Sequence, residues 1–258
     1  AADLFVPSQY ATIQAAIDAA VDGEAVSVSP GTYFENINFL GKAIRIESEE
    51  GPESTIIDGS NNGPVVKFES GEGLLSMLQG FTITHGSGEC FVDSRRGGGI
   101  YCVSASPRIV GNKVQFNVQG GAPCATSLIL GGGIYCQDSS PIIDSNLIFE
   151  HRPIGSGMGI YCQGGSPTIT NNEFSTNRGD YLSTGGGLYL QSDSFFVSGN
   201  LFVNNKARSD YLERGGGGAH LQGGGLFVDN IVVDNHAGDL GWGPGGGVWA
   251  SDDVLIMR

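Results

Sequence analysis

Basic residues are scarce. Only 13 Lys and Arg stand against 27 Asp and Glu over 258 residues, a net charge of −14. A nucleic-acid surface needs a basic face, so that class is excluded. Acidity of this size is a common solubility device. No apolar run approaches the length of a membrane-spanning helix. Histidine is as thin, with His85, His151, His220 and His236 scattered along the chain. There is no HExxH, GxSxG, P-loop or EF-hand loop, so the motif-borne zinc, serine, nucleotide and calcium chemistries have no sequence support. Ca²⁺-binding nonapeptide repeats are also absent, because the glycine-rich lines lack their aspartate.

Glycine is abundant, 43 residues in all, and it is periodic. GGGIYC at Gly97–Cys102 recurs at Gly131–Cys136, as GMGIYC at Gly157–Cys162 and as GGGLYL at Gly185–Leu190. It weakens to GGGAHL at Gly216–Leu221 and GGGVWA at Gly245–Ala250. A second block follows each line and ends on Asn112, Asn146, Asn172, Asn200 or Asn230. Another polar position follows at Asn117, His151, Asn177, Asn205 and Asn235. The apolar stretches between these marks are too short for helices and alternate with period two, so they read as strands. Asn suits the bends because it tolerates the left-handed backbone region. In register, its amides can also bond from coil to coil.

The repeat predicts an all-β chain: a single-domain right-handed parallel β-helix over 1–258, three strands per coil and about nine coils. At about 4.8 Å per coil the rod would be roughly 40 Å long. Residues 6–23 read as an N-terminal capping helix, with Ile13, Ile17, Ala20 and Val21 at helical spacing and Gly23 as its stop. Residues 24–86 supply the early coils, with strands expected at Ala25–Ser29 and Ala43–Glu47, and 97–258 the glycine-line coils. The last coil reads as incomplete, so either the chain continues beyond Arg258 or another molecule covers that edge. Self-association through this uncapped coil is one expected partner mode.

The repeats resemble those of the pectin-lyase-like β-helix superfamily, in its loose "right-handed β-helix repeat" branch, over nearly the whole chain. The resemblance implies a secreted or cell-surface protein. The start Ala1-Ala2-Asp3, without Met, fits a removed signal peptide or a shortened chain. The WIDH-type and RxPxxR motifs of pectate lyases are missing, as are the NTDG, GHG and RIK motifs of polygalacturonases. Many superfamily lyases use Ca²⁺ with clustered carboxylates; no such motif occurs here, so no cofactor is assigned and Ca²⁺ rests on the resemblance alone.

Candidate sites follow from strand alternation. With Ile100, Ile134 and Ile160 inward, Tyr101, Tyr135, Tyr161, Tyr189, His220 and Trp249 face out. Cys102, Cys136 and Cys162 turn in again, as small buried hydrophobes rather than metal ligands. Gln137, Gln163, Gln191 and Gln222 then face out. This aromatic and amide face offers a platform for a polysaccharide or cell-surface glycan. It can equally be architecture, since stacked rings and amide ladders stabilise parallel sheets without a ligand. All large insertions precede the glycine lines, along one edge, as at a solenoid's binding face. Among them Arg178, Asp180, Lys206 and Asp210 are the candidates for lyase or hydrolase catalysis, or else solvated ion pairs. Cys90 and Cys124 sit in successive insertions and are expected to pair as a disulfide. A non-catalytic extracellular glycan binder, a polysaccharide lyase or hydrolase, and a purely structural rod all remain open.

Overall fold

The computed structural model describes residues 3–118, 128–152, 155–180, 183–208, 215–238, 246–251 and 253–257. Three long parallel sheets wrap one core. The first has ten strands, from Asp3–Val6 to Val254–Met257. The second has eight, from Gly31–Phe34 to Ile231–Val233. The third, also of eight, runs from Ile37–Asn38 to Val248–Ala250 and carries the tyrosines. Each coil visits the tyrosine sheet, the ten-stranded sheet and the remaining sheet in turn, as in Ile134–Gln137, Ile142–Asp144 and Leu147–Phe149.

Register is strict because each strand buries alternate residues, and a one-residue slip would expose its whole apolar set. Ile100 pairs with Ile134, Ile134 with Ile160, Ile160 with Leu188 and Leu188 with Ala219. Ile134, Ile143 and Ile148 of one coil lie over Ile160, Ile169 and Phe174 of the next, all fully buried in a continuous core. Phe174 and Phe202 stack with centroids 4.5 Å apart. Each such side chain contributes about 1.5–3 kcal/mol by leaving water. Cys102, Cys136 and Cys162 belong to this core as free thiols.

The capping helix is shorter than 6–23. Asp3–Val6 is instead a strand, with Leu4 and Val6 inward, paired in parallel with Ala25–Val28. It is the additional rung that gives the longest sheet ten strands. The helix spans Ile13–Ala19, with Thr12 Oγ1 capping Ala15 N–H at 3.1 Å. Ile13, Ala16 and Ile17 face the core, whereas Val21 lies beyond the helix and is 62% exposed. The next coil grips both ends. The Glu35 carboxylate accepts from the N–H groups of Ile13 and Gln14, each at 2.9 Å. Lys42 Nζ donates to the carbonyls of Ile17, Asp18 and Ala20 at 2.7–2.8 Å. These charges match the helix dipole at each terminus.

The ladder asparagines do not occupy the left-handed region. That conformation belongs to the residue before each ladder position: Ser145 (φ 57°), Asn171 (55°) and Asp229 (54°) in the first ladder, Glu150 (59°) before His151, Thr176 (54°) and Asn204 (55°) in the second. The asparagines are held by their amides. Asn172 Oδ1 accepts from the backbone N–H of Asn146, and its Nδ2 donates to the Ile143 carbonyl, both at 2.9 Å. The bends therefore stay hydrogen-bonded while buried, which is what buried backbone groups require.

Candidate functional site on the tyrosine sheet

The insertions do not fringe the tyrosine face; they cover part of it. Glu89–Cys90, Arg95–Arg96, Ile129–Leu130 and Gly155–Ser156 form a small four-stranded sheet. Leu130 packs on the tyrosine cluster, Phe91 stacks over Tyr101, and the Arg96 guanidinium lies 4.2 Å from the Phe91 centroid and 5.7 Å from that of Tyr135. Tyr101, Tyr135 and Tyr161 leave the inner core as alternation dictates, yet they are only 7%, 1% and 8% exposed. The expectation of an open aromatic platform is therefore corrected at these three rings.

The rings form one pile. Tyr101, Tyr135, Tyr161, Tyr189, His220 and Trp249 follow each other at centroid distances of 5.8, 5.5, 4.6, 5.0 and 4.2 Å, with ring planes nearly parallel throughout. Tyr189 and Trp249 are half-buried, while His220 is buried with its Nδ1 3.3 Å from the Gly215 carbonyl. Burial pushes the Tyr135 phenol up to about 12 and raises those of Tyr101 and Tyr161 as well. These groups stay protonated. Tyr135 donates to Gln137 Oε1 at 2.8 Å and Tyr189 to Gln191 Oε1 at 3.5 Å.

The glutamine row is open. Gln137 and Gln191 are half-buried, and Gln163 and Gln222 are exposed. Gln163, Gln191 and Gln222, with Ser192, Asp193, Gly164 and Gly223, line a shallow groove of about 320 Å³. Pairing in register sets the spacing of the amides, because Gln137, Gln163, Gln191 and Gln222 are direct neighbours from strand to strand. Ser192 Oγ is held by the carbonyls of Gly165 and Ser194, which fixes the turn that presents Asp193. Ser192 and Asp193 were missed in the sequence because they follow the repeated line without repeating themselves.

The catalytic candidates stand elsewhere. Arg178 and Lys206 are register partners in a three-stranded sheet of Arg178–Gly179, Lys206–Ala207 and His236–Ala237. That sheet precedes the glycine lines, at the opposite end of the tyrosine strands from the groove, and neither residue lines it. Asp180 is exposed and also outside the groove, and Asp210 lies outside the described residues. Cys90 is disulfide-bonded, while its expected partner Cys124 lies outside the described residues. Among the described residues, no group of three His, Cys, Asp or Glu side chains is placed to hold a metal ion. No described helix is long and apolar enough to cross a membrane.

The buried polar groups explain two histidines. His151 fills an asparagine position in the second ladder, and burial lowers its imidazole to about 4. His220 fills a tyrosine position in the ring pile. Cys102 is pushed well above the ordinary thiol range, first by its hydrogen-bonding contact with Cys136 and then by burial.

A search of curated proteins found no match. Among solved structures the chain is similar to a pectin methylesterase in complex with a hexasaccharide, at 9% identity and a TM-score of 0.46, covering 97% of this chain and 89% of that one. The family model described as "Right handed beta helix region" matches residues 53–237, the span that holds both ladders and the ring pile from Tyr101 to His220, and the chain belongs to that family.

Proposed function

We propose that the protein is a non-catalytic binder of an extended polysaccharide, outside the cell or at its surface, and that the glutamine groove makes the contact. The observation that carries this reading is the row of Gln163, Gln191 and Gln222 along one open groove. Parallel strands repeat at about 4.8 Å, so equal amides meet a long ligand at equal intervals. Each amide offers donors and an acceptor, which suits hydroxyl-rich units. Half-buried Tyr189 and Trp249 belong to the same sheet and add ring surface beside the row. Repetition favours binding over cleavage, since cleavage by two carboxyl groups needs a unique point flanking one bond. The disulfide at Cys90 supports an oxidising compartment.

The test is retention on a panel of insoluble and soluble polysaccharides, comparing wild type with Gln163→Ala/Gln191→Ala/Gln222→Ala. Lost retention with an intact far-UV spectrum supports the reading; unchanged retention sinks it. Release of reducing or unsaturated ends from any member of the panel would replace binding with catalysis. Glutamine substitutions are the cleaner probe, because truncating buried Tyr135 would itself cost about 3–5 kcal/mol through the cavity it leaves.

A further inference from the structure

The groove beside the tyrosine sheet is acidic. Among the described residues the groove lining holds Asp193 and no Lys or Arg. A second carboxylate stands at its edge: a β-carbon built on Gly164, which lines the groove, would lie 2.5 Å from Asp138 Oδ1. Asp138 is held there by Gln137, whose Nε2 lies 3.4 Å from Asp138 Oδ2. Among the described contacts the cation that reaches the glutamine row is Arg96, and it does so only at Gln137, where its Nη1 meets Oε1 at 3.4 Å. That guanidinium is flanked by the Phe91 and Tyr135 rings, which fix its place. Arg178 and Lys206, registered cations of the later coils, lie at the other end of the tyrosine strands.

We infer that the groove takes an uncharged, hydroxyl-rich polysaccharide and rejects polyuronates and sulfated chains. The inference rests on the reading of the groove as a glycan site and names its ligand class. Carboxylates at Asp193 and Asp138 accept hydrogen bonds from sugar hydroxyls, and charged acceptors make the stronger bonds. An anionic sugar in the same place would meet like charge, with no Lys or Arg among the described lining residues to offset it, a juxtaposition that disfavours binding. The whole molecule acts in the same direction, because a net charge of −14 repels a polyanion before contact. Neutral side-chain amides carry no such penalty and bond equally to any hydroxyl.

The test measures binding of the intact chain to a soluble uncharged β-glucan and to polygalacturonate, at low salt, where charge repulsion is least screened. The expected result is binding of the β-glucan at least about tenfold tighter than polygalacturonate, a free-energy gap of about 1.4 kcal/mol. Gln191→Ala should weaken the β-glucan about tenfold, and Asp193→Lys should narrow the gap by admitting the acidic polymer. Both side chains are at the surface, and a far-UV spectrum confirms the fold of each variant. Polygalacturonate bound as well as or better than the β-glucan would overturn the inference while leaving the groove reading intact. Failure of both polymers would overturn the two together, and an Asp193→Lys variant with unchanged discrimination would remove Asp193 as its source.

Discussion

His151 Nδ1 lies 2.9 Å from Asn177 Oδ1, so the ring donates there, and its Nε2 must accept from Asn117 Nδ2 at 3.3 Å. An imidazole thus replaces an amide within a buried ladder and carries one donor and one acceptor in the same order. Protonation would turn Nε2 into a second donor facing a donor.

Acid stability should report this residue. The folded imidazole sits at about 4, against 6.5 when exposed, because burial disfavours its charged form. The unfolded chain therefore takes up the proton first. The stabilisation is fully present above pH 6.5 and is lost as the pH falls towards 4, about 3 kcal/mol in all. Urea melts of wild type and His151→Asn over this window should show the shallower pH dependence in the variant. Equal slopes would count against the assignment.

Neighbouring Asn177 tests the ladder itself. Its side chain is fully buried, with Nδ2 donating to the Ile148 carbonyl at 2.8 Å and to Asn205 Oδ1 at 3.0 Å. Asn177→Ala should lower unfolding free energy by about 2–4 kcal/mol, because it strands buried partners on both neighbouring coils. Gln163→Ala, exposed on the groove, should change it by less than about 0.5 kcal/mol. The contrast is read from denaturant midpoints at constant slope.

For the ring pile, Tyr135→Phe should cost about 1 kcal/mol, the worth of its bond to Gln137. Its phenol is pushed up to about 12 from 10, so it favours the folded state below pH 10 and this contribution is lost as the pH rises through 12. Alkaline difference absorbance should show Tyr135 ionising only beyond the ordinary phenol range, and a wild-type titration identical to that of Tyr135→Phe would refute it.

The cap depends on one ammonium. Lys42→Met removes the donor shared by three helix-end carbonyls while keeping most of the stem. The expected loss is about 1–3 kcal/mol in a urea melt. Hydrogen exchange should locate the loosening in Ile13–Ala19, and protection there equal to wild type would exclude the role.

The three core thiols should resist aqueous thiol reagents in the native state and react fully in denaturant. Their burial and the raised Cys102 thiol both suppress the reactive thiolate. Rapid native labelling of any of them would mean that the inner face opens.

Much of this was legible from the chain because identical residues recur in register, as Ile100, Ile134 and Ile160 do. A strand repeated in register announces its own partners. The first strand was not legible: Asp3–Val6 alternates over only four residues, and the helical spacing that follows seemed to claim it. The cover over Tyr101, Tyr135 and Tyr161 was hidden for a related reason. Its strands, such as Arg95–Arg96 and Ile129–Leu130, are two residues long and lie in insertions of unequal length. Outward direction was readable from alternation, but exposure depended on segments that carry no period. Asp193 was lost in the same way, since the equivalent positions two residues after Gln137 and Gln163 are Ser139 and Gly165, which share no residue type with it.

The ladder bonds made by backbone N–H groups all point one way. Phe81 N–H is closed by Asn112, Asn112 by Asn146, Asn146 by Asn172, Asn172 by Asn200 and Asn200 by Asn230. Each coil's backbone donor thus waits for a side chain that the ribosome delivers one coil later. A chain made from its N-terminus can close its rungs in the order of synthesis, with the unfinished donor always at the growing end. The ladder is in that sense a one-way zipper, and assembly in the reverse order would hold an asparagine ready at each step with no backbone yet placed to receive it.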